Sequence, residues 1–152
     1  MKKYIFPIIT SFLIGSFMAL FLINNYENAE SITVFKNVKT IYYIQRGVYS
    51  SKDSMKKNMS SFSHYIYNIE NNQYYTYIGI TTNKENALKI KDYWNKEGYN
   101  TYIKEKTTDN KSFITILNQY DEILSKTKDS GTITTICNQV LSKYEELVNN
   151  EY

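Results

Sequence analysis

With 152 residues and a single cysteine, the chain has room for a small folded domain but cannot form an internal disulfide, so its core must be held by packing. Its net charge is +3, yet two of the 18 basic residues precede an apolar N-terminal run and leave 16 against 15 acids. A nearly neutral remainder offers no basic field for a phosphate backbone, which argues against nucleic acid as the partner. No convergent set of ionisable groups can be assembled, so the sequence asks for no catalytic chemistry, metal or cofactor.

After Met1-Lys2-Lys3, residues 4–23 carry no charge and are rich in Ile, Leu and Phe. A helix of ~20 residues rises ~30 Å, the thickness of a bilayer's hydrocarbon, so this run is expected to be one transmembrane helix. A cleavable signal peptide is the alternative, but the run is long for one and Asn28-Ala29-Glu30-Ser31 lacks the small-x-small cleavage pattern. With residues 1–3 cytoplasmic by the positive-inside rule, the bulk of the chain is expected outside the cytoplasm on a single-pass anchor. Ser11, Gly15 and Ala19, four apart, could form a close-packing face for self-association within the membrane. Residues 24–38 are polar and weakly patterned and read as a linker.

Residues 39–106 read as one compact α+β domain. Residues 41–49 alternate as a strand, Ser50 or Ser51 caps a helix, and Met55, Met59, Phe62 and Ile66 fall on one helical face. Two strands, 65–70 and 73–80, are joined by Asn71-Asn72, because Asn tolerates the positive φ of a two-residue hairpin turn. Thr82-Asn83-Lys84-Glu85 has capping-box spacing ahead of a helix presenting Ala87, Ile90 and Trp94, which Gly98 ends. A fourth strand covers 99–106. The order βαββαβ predicts a ferredoxin-like or RNP-like domain: a four-stranded antiparallel sheet with two helices on one face and the other face open.

Residues 109–152 carry two apolar stripes, Phe113, Ile116, Leu117, Tyr120 and Leu124, then Ile133, Ile136, Cys137, Val140, Leu141, Tyr144 and Val148, with Asp129-Ser130-Gly131 as a turn. The reading is a helical hairpin whose stripes must be hidden, either on the domain or by self-association. Cys137 sits in a stripe and reads as core. His64 has no evident partner and reads as a surface histidine.

Tyr43-Ile44-Gln45-Arg46-Gly47-Val48-Tyr49 and Tyr75-Thr76-Tyr77-Ile78-Gly79 resemble the first and third strands of the SPOR domain (sporulation-related repeat), a family found outside the bacterial cytoplasmic membrane and associated with peptidoglycan. Ala87 after the polar cap, and Gly98 before the last strand, fit as well. The resemblance spans 39–106 and implies an open sheet face that binds glycan strands stripped of their peptide stems, as occur where the wall is split in cell division or sporulation. Val48, where the family often has a small hydroxyl residue, and the lack of a basic residue in the third strand depart from the pattern. Strand alternation with Ile44 and Ile78 inward puts Tyr43, Gln45, Gln73, Tyr75 and Tyr77 on the open face, with Thr101 and Ile103 outward on the fourth strand. Amide side chains and flat aromatics suit a sugar's hydroxyls and apolar C–H surface.

Two other readings fit the same order. A membrane-anchored interaction scaffold would use the domain and hairpin without binding sugar. An RNA-recognition domain shares the βαββαβ order and face aromatics, but its characteristic Lys/Arg-Gly-Phe/Tyr strand is missing.

Overall fold

A computed structural model describes residues 38–149; the expected membrane segment and most of the linker lie outside them. No helix among the described residues is long and apolar enough to cross a membrane. The elements are β1 (Lys39–Tyr49), α1 (Lys52–Met59), β2 (Ile66–Glu70), β3 (Gln73–Thr81), α2 (Lys84–Lys96), β4 (Tyr102–Thr108), α3 (Lys111–Lys126) and α4 (Ser130–Asn149). The strands form one antiparallel sheet in the order β2-β3-β1-β4, so the protein is α+β with the hairpin in place after β4.

Local chemistry sets most boundaries. The Ser51 hydroxyl accepts the Ser54 N–H and starts α1. Asn71 and Asn72 adopt φ of 50° and 60°, the pair of left-handed residues a tight hairpin needs. Gly98 takes φ of +86° just past α2, where a side chain would be strained. Three expectations shift. Asn83, not Thr82, caps α2, its Oδ1 accepting from the N–H groups of Glu85 and Asn86. Helix α1 stops at Met59, so Phe62 packs from the following loop, against Trp94 and Tyr99. Strand β4 begins at Tyr102 rather than at residue 99.

The face of β1 carrying Ile44 meets α2, since Ile44 and Ile90 both lie within 3.6 Å of where a Cβ would sit on Gly79. Helix α1 joins the same side, with the Tyr49 hydroxyl 3.8 Å from the Met59 sulfur. The hairpin is the main departure. Strand β2 pairs only with 73–77 of β3, yet Ile78, Gly79, Ile80 and Thr81 are all buried. Helix α4 supplies cover there: the Cys137 sulfur is 3.3 Å from the Gly79 Cβ position, and Ile133, Ile136, Cys137, Val140 and Leu141 join one core with the sheet residues. A side chain at residue 79 would push this helix away.

Helix α3 is pinned by Asp121, which sits within an otherwise apolar stripe and is 8% exposed. Its carboxylate accepts from the Thr82 N–H at 2.8 Å, the Thr82 hydroxyl at 2.7 Å, the Thr81 hydroxyl, and Asn86 Nδ2 at 3.2 Å. Asn86 also donates to the Asp121 carbonyl at 3.0 Å. Thr82, expected to cap α2, is thus spent on the hairpin. Lys89 closes the other end of α3, its Nζ donating to the carbonyls of Leu124, Ser125 and Thr127; a cation on the last carbonyls of a helix also meets the negative end of its dipole.

Because Asp121→Ala would leave the Thr82 N–H without its acceptor and Asn86 with only the backbone carbonyl of residue 121, it should cost about 2–4 kcal/mol. Urea denaturation should show the loss, while Glu122→Ala, exposed on the same helix, should stay within about 0.5 kcal/mol. Equal midpoints for the two variants would contradict this anchoring.

Candidate functional site

The register of β1 against β4 runs without a shift, pairing Ile41 with Lys106, Tyr43 with Lys104 and Gln45 with Tyr102. Gln45 also pairs with Tyr77, and Val48 with Tyr75. On β2, Ile66, Asn68 and Glu70 pair with Tyr77, Tyr75 and Gln73. Directly opposed residues share a face, which groups Gln45, Gln73, Tyr75 and Tyr77; β1 and β3 shift register on either side of Gln45, and Tyr43, paired with Ile80, joins the group through its ring contact with Tyr77. Ile103 does not: it pairs with Ile44 and belongs to the helix-covered side. Thr101 precedes β4, is buried, and gives its N–H and hydroxyl to Asn95 Oδ1 of α2. Starting the strand three residues later moved both from the assumed outward positions.

The face is not open along its length. Tyr144 of α4 reaches the Tyr43 ring, with centroids 6.2 Å apart, and the Phe113 ring of α3 at 5.4 Å. Tyr43 and Tyr77 pack edge-on at 5.1 Å and are only 6% and 4% exposed. Lys106 extends over both rings, its Nζ 5.4 and 5.3 Å from their centroids and 3.6 Å from Glu70 Oε1. The ammonium therefore interacts with the electron-rich ring faces and a carboxylate at once. Burial pushes the Tyr77 hydroxyl up to about 12, and raises Tyr43 further, with Tyr144 adding to both. These two tyrosines are a packed cluster beneath the hairpin, not a surface a ligand could stack on.

The end of the same face remains accessible. Gln73 and Tyr102 are exposed and Tyr75 is half-buried, its hydroxyl 3.4 Å from Gln73 Oε1; Val48 is exposed beside Tyr75. Between them lies Gln45, 6% exposed, whose carboxamide oxygen is buried without a hydrogen-bond partner among the described residues. Most buried polar atoms are paired, and an unpaired one costs free energy. Tyr102 was not among the residues expected here; its alternation with Lys104 and Lys106 carries no hydrophobic signal, and only the register against β1 places it beside Gln45.

Two residues set apart from the site keep that status. The Cys137 thiol is pushed up to about 12 by burial and is an unreactive part of the core. His64 Nε2 lies 3.1 Å from Glu145 Oε2 of α4, a proximity the sequence did not suggest and one that pairs charges only when the imidazole is protonated.

No family model, curated protein or solved structure matches this chain.

The raised tyrosines predict alkaline sensitivity. The fold favours the neutral phenol of Tyr77, so this contribution is complete below the ordinary value of 10.0 and is lost as pH rises to about 12, because the unfolded chain releases its proton first. Urea midpoints should therefore fall across that window, and less steeply in Tyr77→Phe. Tyrosinate absorbance should show Tyr43 and Tyr77 ionising only as the fold is lost; titration of every described tyrosine near 10 with the fold intact would contradict the buried cluster.

Proposed function

We propose that the chain is a membrane-anchored, extracytoplasmic protein that binds peptidoglycan glycan strands lacking their peptide stems, through the uncovered end of its sheet. In this reading residues 4–23 are the anchor and 39–106 form a SPOR-like domain of ferredoxin-like type, with the hairpin built onto it. The sheet order β2-β3-β1-β4, with α1 and α2 on the Ile44 side, is the order such a βαββαβ domain requires.

The observation that carries the proposal is Gln45. Its carboxamide oxygen is buried and unpartnered beneath the end of the face where Tyr75, Gln73 and Tyr102 remain accessible, so a sugar hydroxyl would satisfy it once the side chain turns outward. Tyr75 and Tyr102 on neighbouring strands supply flat amphipathic surface for the apolar side of a pyranose. The site is smaller than the resemblance implies: Tyr43 and Tyr77 support it from beneath the hairpin, and Ile103 is not part of it.

The scaffold reading draws on a different observation, that Tyr144 occupies the middle of the face where a ligand would otherwise lie. The two separate in co-sedimentation of the full chain, held in mild detergent, with stem-stripped and intact wall sacculi. Glycan binding predicts selective pelleting with stripped sacculi. Gln45→Ala and Tyr75→Ala should each weaken it roughly five- to thirtyfold, the scale of about 1–2 kcal/mol for lost hydrogen bonds or ring contact. Their melting temperatures should change little, whereas Tyr43→Ala should lower stability by about 3 kcal/mol through loss of core. Equal pelleting with both sacculi, or binding that survives Gln45→Ala and Tyr75→Ala together, would favour the scaffold.

A further inference from the structure

The charges on the strands are not evenly spread over the two sides of the sheet. Lys39, Lys104 and Lys106 stand on the Tyr43 side, by their pairing with Thr108, Tyr43 and Ile41. The strand acid on this side is Glu70, and it is engaged by Lys106. Glu105 pairs with Tyr42 and points to the other side. Lys104 is left exposed, without an ion-pair partner among the described residues. It follows Tyr102 on the same side of β4, about 7 Å further along the strand, and so borders the accessible end that holds Gln45.

Stem removal changes the ligand's charge at one defined place. Hydrolysis of the amide joining stem to glycan adds water across that bond, releases the stem as a free amine, and leaves a carboxylate on the sugar's side chain. Intact strands have a neutral amide there. We infer that Lys104 binds this carboxylate and gives the site its preference for stripped over intact strands. The inference rests on the glycan-binding reading and adds to it the group that is read and the residue that reads it. A strand lying across Tyr75, Gln45 and Tyr102 would carry the carboxylate along the β4 edge, where Lys104 is its nearest unpaired cation. A flexible ammonium is suited to this, because it can follow a carboxylate on a mobile ether arm without demanding one geometry. An exposed pair of this kind contributes modestly and is screened by salt, so the preference is a few-fold per contact, multiplied where several chains engage one polymer.

The test uses the full chain in mild detergent and amidase-stripped glycan strands freed of phosphate-containing wall polymers. A matched sample has its carboxylates capped as methylamides. The wild type should bind capped strands about fivefold more weakly than uncapped ones, with the difference shrinking at high salt. Lys104→Gln should bind both at the weaker level with an unchanged melt, and Lys104→Glu should bind uncapped strands more weakly still. Lys57→Gln, on exposed α1, should behave as wild type. Full discrimination retained by Lys104→Gln would overturn the inference, as would binding that is lost on removing phosphate polymers and is indifferent to capping. If Gln45→Ala abolishes binding while capping has no effect, the glycan reading stands and Lys104 falls. If no strand binds the wild type, both fall.

Discussion

Strand β3 extends four residues beyond the reach of β2, and those residues, from Ile78 to Thr81, would be an unprotected sheet edge if the domain ended at β4. Unpaired strand edges invite association with other chains. Here the hairpin fills the gap, with Cys137 against Gly79 and Asp121 fastened to Thr81, Thr82 and Asn86. This docking explains why β3 is buried on both sides, why the middle of the Tyr43 face is closed, and why a carboxylate interrupts an apolar stripe.

The buried carboxylate also gives the docking a direction. An apolar stripe can slide by a turn at little cost, since Leu, Ile and Val replace one another in contact. A carboxylate with several fixed donors cannot, because any shift leaves a charge and an N–H without partners. The hairpin is thereby held in one register on the sheet, and Tyr144, well along the second helix, arrives over Tyr43. The boundary between the closed and open parts of the face follows from that register.

Much of the architecture was legible because it is written locally. Alternation and an Asn-Asn turn specify the β2-β3 hairpin, and Ser51 and Gly98 mark helix ends through backbone chemistry that needs no distant partner. What failed depended on distant partners. Thr82 has the spacing of a cap, but Asp121, 39 residues away, competes for it and Asn83 takes the role. Strand β4 reads Tyr-Ile-Lys-Glu-Lys-Thr-Thr and shows no apolar face, so the orientation of Ile103 is decided by its register against β1. The two apolar stripes of the tail established that something must cover them, while periodicity is silent on what does. Of the candidate site, Gln45, Gln73 and Tyr75 stood where alternation put them; Tyr43 and Tyr77 were on the right face but beneath a cover that sequence patterns cannot locate.

One sheet face is divided: the hairpin closes off Tyr43 and Tyr77, and the end around Tyr75 and Tyr102 stays uncovered, where the proposed function places the glycan. Hydroxyl-radical footprinting of the full chain, with and without stem-free glycan, reads both halves of it in one measurement. Tyr102 and Tyr75 should be oxidised in the free protein and protected on adding glycan, while Tyr43 and Tyr77 should remain unreactive in both states. Strong labelling of Tyr43 and Tyr77 in the free protein, protected by glycan, would mean the hairpin does not cover the face; unchanged labelling of Tyr75 and Tyr102 would mean the ligand does not bind there.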